Sequence, residues 1–107
     1  MPESQLRFDV DEAGDTLVIS VRGEIDMLTA PRFAAVLDVA NASPSRLVLD
    51  MSAVSYIDST GLRVLMTVHK ARGEQRRIHL QGASEQLRKL LAITRFDGCV
   101  MLDDPVG

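Results

Sequence analysis

Residues 47–65 read L-V-L-D-M-S-A-V-S-Y-I-D-S-T-G-L-R-V-L, and the succession of residue types here decides the fold. Leu47, Val48 and Leu49 make a short continuous apolar run. A strand covered on both faces has this composition, as in a parallel sheet. A parallel neighbour requires a crossover, and a helix predicted over 30–41 supplies one. Asp50 ends the run as a buried or loop-bonding carboxylate, with no catalytic role expected. A loop containing Val54, Tyr56 and Ile57 leads into Asp58-Ser59-Thr60-Gly61. A helix is predicted from about 61 to 72, with Gly73 as its C′ stop.

Towards the N-terminus, Leu6, Phe8 and Val10 alternate with polar residues, and so do Leu17, Ile19 and Val21. The link over 11–15 contains Gly14, so the two runs predict an antiparallel hairpin. Residues 23–29 read as a connection. Thr29 is a candidate N-cap and Pro31 suits a first helical turn. Phe33, Val36, Leu37 and Ala40 then recur with the spacing of one helical face. Residues 41–45 end this helix, because proline disfavours helix in the residue before it.

Towards the C-terminus, Ile78 and Leu80 mark another buried or half-buried strand. Ser84 can cap a helix that carries Leu87, Leu90 and Leu91 on one face. Val100 and Leu102 predict a short last strand at an edge. The order is β-β-α-β-α-β-α-β, an α/β class. One domain is expected over 1–107, with its core at about 5–102 and a frayed tail at 103–107. The sheet should be mixed, mostly parallel, with four to five strands and three or more helices.

Composition narrows the function. The 107 residues are 46% apolar and 25% charged, the balance of a single globular domain. The net charge of -3 and the scarcity of aromatic residues give no footprint for nucleic acid. No apolar run approaches the ~18 residues of a membrane span, and the N-terminus carries no signal-peptide core. Cys99 is the only cysteine, which rules out an intrachain disulfide and makes a reducing cytoplasm the expected location. Cys99, His69 and His79 match no metal-ligand spacing, so neither metal nor cofactor is expected. Nucleotide binding finds no Walker A or G-x-G-x-x-G pattern.

Two motifs carry a family resemblance. Asp58-Ser59-Thr60-Gly61-Leu62 follows an apolar strand that ends in an acidic residue, and Gly23-Glu24-Ile25-Asp26 precedes it at a fitting distance. In this order, on this strand and helix pattern, they resemble the STAS domain of bacterial anti-sigma factor antagonists. The resemblance implies a phosphorylation-switched binding module. Its unphosphorylated form binds an anti-sigma factor, itself a serine kinase with an ATPase-like fold, and frees a sigma factor. Phosphorylation of Ser59 ends that binding, and a PP2C-type phosphatase resets it. The chain would be substrate and binder, not enzyme, and monomeric when free. Gly23, Glu24 and Asp26 become candidates for the partner surface. Many members of the family have small or polar residues after G-L, whereas Arg63 stands here. Thr94-Arg95-Phe96 similarly replaces a Gly-Leu near the end of the third helix.

The residues also have readings of their own. Serine at a strand-to-helix junction is a favoured N-cap, so position alone makes Ser59 a cap. Asp58 could hydrogen-bond the loop backbone and hold Ser59 outward, or help the hydroxyl meet a kinase. Thr60 offers a second hydroxyl, and Gly61 permits close backbone approach. Asp26 could cap a turn instead of touching a partner. Along the helix, Leu62, Leu65 and Met66 form one stripe and Val64, Val68 and Ala71 another. Either neighbours cover this helix deeply, or Leu62, Val64 and Val68 belong to a partner face beside Ser59.

Two further functions compete. A Ser59 nucleophile would need a base, yet His69 lies about ten residues along the helix and His79 falls in a strand. Ile57 also stands where a G-x-S-x-G elbow needs glycine. A STAS scaffold subunit of a larger signalling or lipid-transport assembly is the other alternative.

Overall fold

The computed structural model describes residues 6–41, 46–73, 76–96, 98 and 100–103. The expectations for 42–45, for Cys99 and for the tail beyond 103 fall outside them. Among the described residues, five strands and three helices follow in the expected order. They are β1 (Arg7–Ala13), β2 (Thr16–Ile25), α1 (Ala30–Asn41), β3 (Arg46–Ile57), α2 (Ser59–Arg72), β4 (His79–Gln81), α3 (Glu85–Ile93) and β5 (Met101–Asp103). The sheet runs β1-β2-β3-β4-β5, antiparallel at the first pair and parallel throughout the rest. A monotonic order of this kind results when each crossover helix delivers the chain to the next position along one edge.

The alternation in β2 sends Leu17, Ile19 and Val21 into the core, while Thr16, Val18 and Ser20 are half-buried. Phe33 and Leu37 of α1 meet that buried face, together with Leu65 of α2 and Leu87 and Leu91 of α3. Phe8 stacks on Phe33 with centroids 6.4 Å apart, which fastens β1 to the same core. The alternation of β1 then fades, and Val10 is exposed. In β3, Leu47, Val48, Leu49 and Met51 are all buried, as a continuous apolar run requires.

Two strands are longer than expected. Residues 23–25 belong to β2 and residues 50–57 to β3, where a connection and a loop were expected. The pairing shifts register between Ser20 and Arg22, and again between Gly23 and Glu24. Each irregularity breaks the period of two that betrays a strand, and Gly23 takes φ 114°. The pattern in the sequence is therefore scrambled where the strand is still hydrogen-bonded.

The caps follow local chemistry. Gly73 ends α2 with φ 87° and donates its N–H to the His69 carbonyl. Ser84 Oγ accepts from Leu87 N–H at 3.1 Å. Thr29 differs from the expectation: it precedes α1, but its hydroxyl turns back, accepting from Asp26 N–H at 2.9 Å and donating to the Glu24 carbonyl at 2.8 Å. At the far end of α2, burial and then the charge of Arg76 lower the pKa of Arg72, whose Nε donates to the Arg76 carbonyl at 2.9 Å.

Candidate functional site

Because β2 and β3 run parallel, their carboxyl ends finish side by side, with Ile25 paired to Ile57. Such ends are where open α/β sheets place their sites. The two motifs, more than thirty residues apart in the chain, meet at this point. Asp58 N–H donates to the Ile25 carbonyl at 3.1 Å. Gly61 is buried against the same pair; a Cβ there would lie 2.6 Å from Ile25 Cγ2 and 2.8 Å from Ile57 Cγ1. Gln86 of α3 adds a third element by accepting from Ile57 N–H at 3.3 Å.

Asp58, not Ser59, caps α2. Its Oδ1 accepts from Thr60 N–H at 2.9 Å and from Gly61 N–H at 3.4 Å. The Thr60 hydroxyl donates to the same oxygen. These bonds satisfy first-turn donors that would otherwise be left over. Ser59 becomes the first helical residue and is exposed, whereas Asp58 and Thr60 are half-buried. Two adjacent hydroxyls thus differ sharply: one is engaged by a carboxylate, the other faces solvent.

Asp26 organises the neighbouring turn. Its Oδ1 accepts from Leu28 N–H at 2.9 Å and Thr29 N–H at 3.0 Å, so capping is the use its geometry shows. The turn presents Met27 and Leu28, which are 71% and 80% exposed. Sequence reasoning missed both, since an apolar pair inside a turn has no period to reveal its direction. Glu24 is exposed and Gly23 half-buried at the same strand end. Asp50 accepts from Ser52 N–H at 3.0 Å and Ser52 Oγ at 2.7 Å, a local bond within β3.

Between α1 and α2 lies an open groove of about 610 Å³. Met27, Pro31, Ala34, Thr60, Arg63, Val64 and Val68 help line it. Val64 is half-buried and faces this space. The expected partner face needs correction at two positions. Leu62 is 3% exposed and belongs to the core. Val68, at 6%, forms groove floor and core and is not a protruding contact. Leu62 packs into the core, and Val68 sits where that core meets the groove.

The described residues do not assemble a nucleophile's machinery around Ser59. His69 is buried against Phe96 in an edge-on contact. His79 Nε2 lies 3.2 Å from Arg46 Nη2, at the start of β3 and so at the opposite end of that strand from Ser59. The Asp58 carboxylate is committed to the helix start. No described helix is long and apolar enough to cross a membrane.

The fold and this junction define a small α/β binding domain built around an exposed serine at a helix entrance. The family described as "Mlab, STAS domain" matches residues 8–103. The anti-sigma-B factor antagonist of Listeria monocytogenes is 35% identical over 95 residues, covering 87% of this chain and 83% of its own. The crystal structure of an anti-sigma factor antagonist from Mycobacterium paratuberculosis superposes with a TM-score of 0.85 at 27% identity, covering 95% of this chain and 88% of that one. The Bacillus cell fate determinant SpoIIAA, in its phosphorylated form, shares the fold with a TM-score of 0.73 at 18% identity, covering 94% and 92%. The chain belongs to the STAS domain family, in its anti-sigma factor antagonist group. It is accordingly a non-enzymatic binding domain.

Proposed function

We propose that this chain is an anti-sigma factor antagonist whose unphosphorylated form binds an anti-sigma factor serine kinase, and whose phosphorylation at Ser59 ends that binding. The observation that carries the reading is the division of labour at 58–60: Asp58 caps the helix and engages Thr60, leaving Ser59 exposed. The relatives' names support the antagonist role, and the shared fold of SpoIIAA exists in a phosphorylated form.

In the modification step, Ser59 Oγ attacks the γ-phosphorus of ATP. Its proton passes to a base on the kinase and ADP leaves. The product carries about -1.5 to -2 charges at a helix N-terminus, where the dipole tolerates them. The domain therefore stays folded, and the penalty falls on the interface. Desolvating a dianion against a docked surface weakens the complex, and each ~1.4 kcal/mol lost is tenfold in affinity. The docking face consists of Ser59, Glu24, Met27 and Leu28 with the Val64 side of the groove. A PP2C-type phosphatase restores the binding form, in the cytoplasm.

The test pairs mass spectrometry with calorimetry. Incubation with the anti-sigma factor kinase and ATP should place one phosphate on Ser59, and the phosphorylated protein should bind at least tenfold more weakly. An unmodified Ser59, or equal affinity of both forms, would overturn the proposal. Elution in one large stable assembly would favour the scaffold reading instead.

A further inference from the structure

We propose that Arg63 is the intramolecular partner of the phosphoryl group on Ser59, so that phosphorylation also withdraws a cation from the groove. The proposal rests on Ser59 being the modified residue. Ser59 opens α2 and Arg63 follows four residues later. Such residues lie on one helix face, about 40° apart in azimuth and about 6 Å apart along the axis. Thr67, Thr60 and Val64, which line the groove, sit at about 80°, 100° and 140° from Ser59 on the same helical wheel. Arg63 lies between Ser59 and that wall and can serve either side.

Arg63 is exposed, and its guanidinium forms no ion pair among the described residues. It is the one cation among the described groove-lining residues, and Asp38 across the groove is the one anion. Asp58, the carboxylate beside Ser59, already accepts from the helix start. An unmodified serine hydroxyl offers Arg63 no charge to pair with. A phosphoryl group offers a dianion with three acceptor oxygens, matched to the guanidinium fork. The polarity is also the favourable one, acid N-terminal to base at i and i+4. Phosphorylation then alters the docking face twice, adding a dianion and engaging the cation that had pointed at the groove.

The test installs phosphoserine at position 59 during synthesis by genetic-code expansion, so no kinase is needed. The second ionisation of the phosphate is followed by 31P NMR in four proteins: the parent, Arg63→Gln, Arg63→Lys and Lys70→Gln. Circular dichroism checks that each is folded. The parent phosphate should ionise with a dissociation constant about two- to fivefold larger than in Arg63→Gln, because a nearby cation favours the dianion. Arg63→Lys should keep most of that difference. Lys70→Gln removes an exposed charge about 16 Å along the helix and should leave the parent value unchanged. Identical titration of the parent and Arg63→Gln would overturn the pairing. A Lys70→Gln shift as large as that of Arg63→Gln would also overturn it, by exposing a general field effect. A kinase that ignores Ser59 would defeat the proposed function but leave this measurement readable.

Discussion

Asp58 decides what the two hydroxyls beside it can do. Its carboxylate holds Thr60 N–H, Gly61 N–H and the Thr60 hydroxyl, and Ser59 is left outward. Ser59→Ala should therefore abolish phosphate incorporation, with Thr60 failing to take over, as peptide mapping after kinase treatment would check. Phosphate on Thr60 in that variant would show that the cap does not protect the second hydroxyl. Asp58→Ala removes the cap and should cost about 0.5–2 kcal/mol in urea unfolding. The choice between Asp and Ser as cap could not be made from the sequence. Both residue types are favoured caps, and which one serves depends on where the helix begins by a single residue. Asp58 sits at φ -112° and ψ -170°, extended as a cap must be, because β3 continues right up to it.

At the scale of elements, α2 packs on the sheet beside α1. Gly61 closes the approach at its first turn. Gly61→Ala would press a methyl into Ile25 and Ile57 and should lower stability by about 1–3 kcal/mol, measured by denaturant unfolding. The same side of the helix buries Leu62, where Leu62→Ala should cost about 2–5 kcal/mol because it empties core volume. The turn between β2 and α1 behaves oppositely. Leu28→Ser should leave the unfolding midpoint unchanged and weaken partner binding in calorimetry, since that side chain is 80% exposed and touches the core little. A drop in stability without a loss of binding would remove Leu28 from the docking face. The helical wheel in the sequence showed two apolar stripes on α2. It could not say which stripe meets the sheet, because both stripes satisfy the same period.

In the whole molecule, parallel pairing of β2 with β3 brings residues 23–26 to residues 58–61, and α3 braces the junction through Gln86. Element order, the helix over Ala30–Asn41, the stop at Gly73 and the helix start at Ser84 were legible in the sequence. So were the two motifs that resemble the family. All of these depend on neighbours within a turn or two of the chain: hydrophobic period, cap chemistry and glycine's freedom at positive φ. The full length of β2 and β3 was not legible, because shifts in register erase alternation while the hydrogen bonds persist. Nor were the burial of Leu62 and Val68, the exposure of Met27 and Leu28, or the clasp between Asp58 and Ile25. Those follow from which surfaces the sheet covers, and covering is done by residues distant in sequence. Local chemistry along the chain therefore determined the kinds of elements and their order, whereas long-range packing alone decided which side chains the finished surface presents.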